Sequence, residues 1–307
     1  MNPNLLARLR QGVLAWNTWR QQAHARGITI DLASADLHGA DLAGIDLSDV
    51  DLRGADLRDA NLSHASLCWA NLHDAQLLHA NLNGANLFEA NLDYVDLTET
   101  HLHGVNLDFA ILRGAHLPRA NLNEVTLRST DLSEADLTNA KLHRADLQFA
   151  SLSGADLRGA DLSGAYLHRA NLNRAHLHKA NLHDADLHDA LLNHTDLDGA
   201  NLIAANLNGA RLYDAHLNYA TLDDADLRHT NLTNADLRNA HLHNTDLRDA
   251  NLRGANLHDI NLTRVILNGA DLRGAKFNWM LLFEASLNGL NLSHVKLDPN
   301  QLFKADT

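Results

Sequence analysis

Leucine recurs at every fifth residue of this sequence from Leu32 to Leu302, and Phe277 is the single replacement at that position. The stretch SGADLRGADLSGAYL, residues 153–167, shows the period. An α-helix advances about 100° per residue, so a five-residue period would scatter the leucines around its axis. A plain strand has a period of two, so an odd step would place successive leucines on opposite faces. The backbone must therefore change direction once in every repeat, which predicts a turn.

Each position of the pentad has its own composition, which we describe by calling the leucine position i. Residue i−2 is small or β-branched, usually alanine, and i−1 is most often Asp or Asn. Side chains two residues apart point the same way in an extended segment, so i−2 and i point inward and i−1 outward. Every glycine of the repeat region lies at i+2, as Gly159 does, and a type II turn requires positive φ there. Each pentad is therefore predicted to be a short extended step followed by a corner.

Steps and corners repeated without insertion predict a coil whose turns stack on one another. Each turn leaves its backbone N–H and C=O groups to the next turn, about 4.8 Å away. The interior then fills with leucine and alanine, whereas a disordered low-complexity tract would leave that leucine in water. We therefore expect an all-β solenoid.

The motif A(D/N)LxG, as in residues 155–159, resembles the repeat of the pentapeptide repeat proteins, and the resemblance covers roughly residues 30–303. It implies a right-handed quadrilateral β-helix with four pentads, or about twenty residues, per coil. The 55 pentads of the sequence would then make about fourteen coils. The expected organisation is an N-terminal capping helix at 1–29, the β-helix at 30–303 and a tail at 304–307.

The N-terminal segment is predicted to be an α-helical cap, because the open edge of a terminal coil would otherwise recruit other strands. Residues 4–26 have helical spacing of apolar residues, and Gly27 is a stop signal. The alternative is a free helix that docks on a partner or a membrane. The apolar stripe consists of Leu5, Leu9, Val13 and Trp16.

The C-terminal pentads carry large apolar residues at positions that should face outward. One interpretation is a bulky final coil with the tail folded over it. The other is a homodimer in which two molecules meet end to end through this coil and bury the apolar residues. The residues are Trp279, Leu281, Phe283 and Phe303.

Composition narrows the function classes. The formal net charge is −13 with histidine neutral, so direct binding of nucleic acid or an anionic membrane is not expected. The lone cysteine, Cys68, excludes an internal disulfide and fits a reducing compartment. The first residues have no apolar run long enough for a signal peptide or a membrane span. We expect a cytoplasmic protein.

No chemistry-bearing constellation can be singled out. A regular coil is convex and filled, so it offers no obvious substrate pocket, and its glycines are corners rather than phosphate loops. We therefore predict no enzyme and no catalytic, cofactor-binding or metal-binding residues. Among the 21 histidines, His168 and His188 should be neighbours in adjacent coils, and such pairs could bind a transition metal. The alternative is that histidine is one more tolerated surface residue.

Aromatic residues mark one side of the predicted coil. Trp69, Phe109 and Phe149 share one corner column, and Phe88 and Tyr166 lie nearby on that side. Exposed aromatic residues in a line are typical of protein-binding surfaces, so these five are the candidate partner-binding residues. The alternative is that wide corners accept bulky side chains, which then lie flat on neighbouring coils.

Two functions follow from these observations. The first is a non-catalytic rod-shaped interaction or scaffold protein with a variable polar surface and a protein partner of unknown identity. The second is implied by the resemblance: some pentapeptide repeat proteins mimic duplex DNA, bind type II topoisomerases such as DNA gyrase and modulate their inhibition. Net acidity agrees with that role, whereas arginines dilute the acidic faces and no insertion forms a projecting loop.

Overall fold

The computed structural model describes residues 3–277 and residue 296. The chain forms two compact units, Met1–Ser151 and Leu152–Thr307. The first begins with two helices, α1 (Pro3–Leu9) and α2 (Val13–Ala25). From residue 31 onward the described chain repeats one pattern in both units, an isolated bridge residue at i−1 and two turn residues at i+1 and i+2.

Parallel bridges stack the pentads with a register of twenty residues. In the first unit Asp31 pairs with Asp51, and in the second Asp156 pairs with His176. Four pentads therefore make one turn, and each unit is a four-sided β-helix, as predicted. The register changes at the last described bridge, between Asp271 and Lys296. The two bridged residues are there one pentad further apart in sequence than at the other bridges. The count of about fourteen coils stays a prediction.

Hydrogen bonds between successive coils satisfy the backbone in a fixed order. The N–H of Leu32 donates to the carbonyl of Asp51 at 2.8 Å, and the N–H of Asp51 donates back to the carbonyl of Ile30 at 3.0 Å. Within the pentad the N–H of Ala35 donates to the carbonyl of Leu32 at 3.0 Å, which closes the corner. The extended steps are short because only i−1 bridges to its neighbours.

The corners have the predicted left-handed backbone. Every fifth position from 34 to 274 has positive φ, whatever its residue type. Glycine is the residue best suited to this backbone, yet Trp69 (φ 58°) and Phe109 (φ 60°) occupy such corners, as their place in the pentad predicts. A non-glycine residue in this region costs about 1–2 kcal/mol, so interior packing and inter-coil bonds impose the corner. Gly114 has a second constraint, because a Cβ there would lie 2.7 Å from the Tyr94 ring.

The interior of each unit is a filled column of leucine and alanine, and Leu57, Leu107 and Leu207 are fully buried. Threonine replaces the i−2 alanine at a few buried positions and keeps its hydroxyl bonded. Thr130, for example, donates to the carbonyl of Leu107 at 2.8 Å. A buried hydroxyl with a backbone acceptor avoids the cost of an unpaired polar group.

The single N-terminal helix that we predicted is wrong in one respect, because two helices occupy the segment. The N–H groups of Gln11 and Gly12 bond to Arg8 and Leu9, which closes α1, and Gly12 then takes φ 97° before α2 begins. Leu9 and Trp16 are buried, whereas Val13 is half-buried. Within residues 3–277, neither helix nor any other is long and apolar enough to cross a membrane.

Side chains of α2 bond to backbone groups of the first coil. In later coils, three backbone groups of each pentad bond to the preceding coil. They are the N–H and the C=O of residue i−1 and the C=O of residue i+1. Here Asp46 N–H donates to Asn17 Oδ1 at 2.9 Å, and Trp16 Nε1 donates to the Asp46 carbonyl at 2.7 Å. Arg20 Nη2 donates to the carbonyl of Ser48. Three side chains thus replace the bonds that a preceding coil would supply.

Candidate protein-interaction surface

Three of the five candidate aromatic residues touch one another in the first unit. Phe88 lies between the other two, with its ring centroid 6.1 Å from that of Trp69 and 5.5 Å from that of Phe109. Both contacts are edge-to-face, at 86° and 63°, an arrangement that aromatic pairs favour. We call Trp69, Phe88 and Phe109 the aromatic row.

The aromatic row is anchored and yet open to solvent. Trp69 and Phe109 are about half exposed, at 53% and 51%, and Phe88 is half-buried between them. Trp69 Nε1 donates to Glu89 Oε2 at 3.1 Å, which holds the indole in place. The fixed corner backbone further limits its motion, so the row offers apolar area that has already lost much of its conformational freedom.

The remaining two candidates are placed separately. Phe149 is 52% exposed and occupies the corner two coils after that of Phe109. Tyr166 belongs to the second unit, where it is 48% exposed and its backbone bridges to Asp186. A role for any of the five in binding stays a prediction.

Sequence reasoning missed other exposed aromatic residues and the central place of Phe88. Tyr94 and Tyr219 are the most exposed aromatic side chains among the described residues, at 61% and 68%. Both stand at i+2 corners, so their position in the pentad was a usable signal. Within the described part of the chain, neither tyrosine packs on a Trp, Phe or Tyr ring; Tyr94 packs edge-to-face on His73, with ring centroids 5.8 Å apart. The four C-terminal candidates lie outside the described residues.

Arginine–aspartate clamps neutralise part of the acidic surface. Wherever the sequence reads Asp-Leu-Arg, both polar side chains point outward from one extended step and form an ion pair. In the clamp of Asp56, Arg58 donates through Nε at 2.8 Å and through Nη2 at 2.5 Å, and these bonds lower the pKa of Asp56 to about 2. The arginines of the clamps are Arg53, Arg58, Arg158, Arg228, Arg238, Arg248 and Arg273.

The clamps change the distribution of surface charge and contribute little to the free energy of unfolding. The arginine side chains are about half exposed, as with Arg58 at 46%, and exposed ion pairs contribute little. Each clamp, however, places a cation against a carboxylate. The acidic surface is therefore interrupted wherever a clamp lies, as at Arg58, Arg158 and Arg238.

Histidine gives one close pair. The rings of His168 and His188 stack with centroids 5.1 Å apart and planes 7° from parallel, as their register predicted. Within the part of the chain that the structure describes, no group of three or more His, Cys, Asp or Glu side chains could hold a metal ion. Cys68 is a buried free thiol, with Sγ 3.9 Å from the carbonyl of Asn86.

Comparison with known proteins identifies the family. The family model described as Pentapeptide repeats (8 copies) matches the chain in twelve overlapping segments that run from residue 30 to residue 298. No curated protein sequence matches the chain. The matched region begins where the bridges and corners of the β-helix begin.

Several solved structures are similar to this chain. HetL, a pentapeptide repeat protein involved in heterocyst differentiation regulation in the cyanobacterium Nostoc sp. strain PCC 7120, is 31% identical over 81% of this chain and 94% of its own, with a TM-score of 0.32. QnrB1, a plasmid-mediated fluoroquinolone resistance protein, is 19% identical over 62% of this chain and 92% of its own in a trypsin-treated form, with a TM-score of 0.39. A pentapeptide repeat protein of the Arabidopsis thaliana thylakoid lumen is 28% identical over 41% of this chain and 70% of its own, with a TM-score of 0.17.

The family match explains the coil geometry described above, since pentapeptide repeat proteins fold as right-handed quadrilateral β-helices. The repeat pattern, the twenty-residue bridge register and the family match over most of the sequence lead to one conclusion. The chain belongs to the pentapeptide repeat family.

Proposed function

We propose that this protein is a non-catalytic, cytoplasmic interaction protein that binds a protein partner through the aromatic row. The contact of Trp69 and Phe109 with a central Phe88 carries the proposal. Aromatic residues are enriched at protein interfaces, and tryptophan is among the residues that most often carry the binding energy. The filled interior supports a binding role over a catalytic one, because the core residues are committed to packing.

The pentad supports a scaffold function in a second way. Most side chains at positions i−1, i+1 and i+2 lie outside the core in both units, with Cys68 and Asp93 among the buried exceptions, so most of them can change without affecting the interior. The recognition surface is therefore free to vary while the coil stays constant. This separation explains why one fold can serve different partners.

Replacing both Trp69 and Phe109 by serine is expected to weaken partner binding at least about tenfold, because aromatic residues at the centre of an interface contribute about 2 kcal/mol or more. The full-length chain, immobilised, would capture proteins from an extract of its native host. Mass spectrometry would then compare the wild-type and variant captures, and purified partners would be titrated.

The matched control is Tyr219→Ser, which removes an exposed corner aromatic (68% exposed) outside the aromatic row. Circular dichroism would show that all variants keep the β-helix. If the double variant binds the same partner with the affinity of the wild type, the aromatic row is not the binding surface.

We propose DNA mimicry toward a type II topoisomerase as a second candidate, on the basis of the net charge of −13. A DNA-mimicking chain should inhibit supercoiling by purified gyrase or alter its inhibition by a quinolone, and binding should weaken as salt rises. Supercoiling that is unaffected at micromolar protein, with and without the drug, would exclude this candidate.

We also propose that α2 caps the first coil and that the repeats continue for about fourteen coils. The bonds of Trp16 and Asn17 to Asp46 support the cap. A homodimer through the C-terminal coil remains a proposal for the pentads beyond residue 277.

A further inference from the structure

A polar groove lies on one side of the second unit. It has a volume of about 570 Å³ and crosses several successive coils. This volume falls within the range of about 300–1,000 Å³ that is common for small-molecule sites. Its principal lining residues are Asn173, Arg174, Asn193, His194, Arg211 and Tyr213.

The groove contains arginine without matching carboxylate. Among the described residues, no Asp or Glu lines it. Elsewhere in the second unit, arginines such as Arg158 and Arg228 hold an aspartate in a clamp at 2.5 and 2.6 Å. Arg174 and Arg211 have no ion pair among the described residues. Both arginines are exposed, so their guanidinium donors are accessible to a ligand.

The whole side carries positive charge, although the chain is acidic. Among the described residues of the second unit, this side has four arginines and two aspartates at its outward positions. One of the aspartates, Asp271, is already paired with Arg273 at 2.6 Å. The other, Asp214, lies 3.8 Å from His194. Among the described lining residues of the groove itself, the two arginines carry the only full formal charges, which favours an anionic ligand.

The asparagines of the groove present donors rather than acceptors. Asn173 Oδ1 accepts from the backbone N–H of Asn193 at 2.9 Å and from its Nδ2 at 3.0 Å. Asn193 Oδ1 in turn accepts from the backbone N–H of Tyr213 at 3.1 Å. The carbonyl oxygens are thus occupied within the coil stack, and the amide of Asn173 has its N–H groups left for another acceptor.

The aromatic edge of the groove adds a flat surface. Tyr213 is 37% exposed, and its ring meets that of His194 edge-to-face at 5.5 Å and 85°. This contact fixes the tyrosine beside Arg211. A ring-shaped ligand could stack there while its anionic group bonds to the arginines.

We propose that this groove binds a small phosphate monoester, with Arg174 and Arg211 on the phosphate and Tyr213 against the rest of the molecule. Guanidinium groups match phosphate oxygens in a forked, charge-assisted geometry that is stronger than neutral hydrogen bonding. The absence of carboxylates among the lining residues removes the competition that the clamps create elsewhere. This site is independent of the aromatic row of the first unit.

Calorimetric titration of the full-length chain with glucose 6-phosphate, inorganic phosphate and glucose tests the proposal. Glucose 6-phosphate should bind, inorganic phosphate should compete with it, and glucose should not bind. Replacing Arg174 and Arg211 together by glutamine should weaken the binding of glucose 6-phosphate at least about tenfold, since both charge-assisted contacts to the phosphate are lost. Tyr213→Ala should weaken glucose 6-phosphate more than inorganic phosphate.

The control variant is Arg158→Gln, which removes a clamped arginine of the same unit outside the groove and should leave binding unchanged. Circular dichroism and thermal unfolding would establish that each variant is folded. Absence of heat with both phosphate compounds, equal binding of glucose and glucose 6-phosphate, or equal weakening by Arg158→Gln would each overturn the proposal.

Discussion

Replacing Trp16 by alanine is expected to lower the free energy of unfolding of the first unit by about 3–5 kcal/mol, the cost of truncating a fully buried tryptophan. Trp16 is 0% exposed, and its Nε1 donates to the carbonyl of Asp46 at 2.7 Å. The change removes apolar packing and opens the edge of the first coil to water. An open edge of this kind also favours pairing between molecules.

The two contributions of Trp16 can be separated. Trp16→Phe keeps most of the buried ring but leaves the Asp46 carbonyl without its donor, so we expect a loss of about 1 kcal/mol. Leu14→Ala on the same helix is the control, because Leu14 is 83% exposed and surface changes usually stay within about 0.5 kcal/mol. Urea unfolding followed by circular dichroism measures all three.

Hydrogen exchange would locate the effect. Faster exchange in Trp16→Ala should be confined to the amides of the first coils, since each coil of a solenoid bonds only to its neighbours. A loss of stability in Leu14→Ala as large as that in Trp16→Ala would show that α2 contributes through its helical content and not through its contact with the coil.

The coil could be predicted from sequence because each pentad position has a separate physical requirement. Leu207 must be buried, and Gly159 stands where positive φ is needed. A period of five satisfies both only if the chain turns once per repeat. The twenty-residue register came from the family resemblance, and the bridges from Asp31 to Asp51 and onward confirm it.

The contacts that depend on side-chain conformation could not be predicted in the same way. The spacing of Trp69 and Phe109 placed them in one column, but the insertion of Phe88 between them depends on rotamers at a corner. The break between α1 and α2 depends on the backbone of Gly12, at φ 97°, inside an otherwise helical apolar pattern. Partner identity depends on outward positions that the fold leaves unconstrained.

Some surface chemistry could have been predicted and was missed. Positions i−1 and i+1 flank the leucine on the outside of one extended step, so an Asp-Leu-Arg sequence places opposite charges side by side. The clamp of Arg238 on Asp236, with Nη2 2.7 Å from Oδ2, follows from that placement. Arg174 and Arg211 lack this sequence context, which separates the groove arginines from the clamped ones.

Replacing Leu217 by alanine is expected to lower the free energy of unfolding of the second unit by about 2–5 kcal/mol, from lost burial and the cavity that remains. Leu217 is 0% exposed, as are Leu197 and Leu237 at the same position in the coils before and after it. The column is continuous and its backbone is fixed by bonds on both sides. The site therefore has little freedom to collapse.

The adjacent residue provides the control for Leu217. His216 is exposed at the i−1 position of the same pentad, so His216→Ala should change the free energy of unfolding by no more than about 0.5 kcal/mol. Urea unfolding at pH 7.5 compares the two variants. Because the two residues are neighbours in one pentad, the difference between their losses in free energy of unfolding reports which side chain lies in the interior. Equal losses at both positions would contradict the assignment of i to the interior and i−1 to the surface.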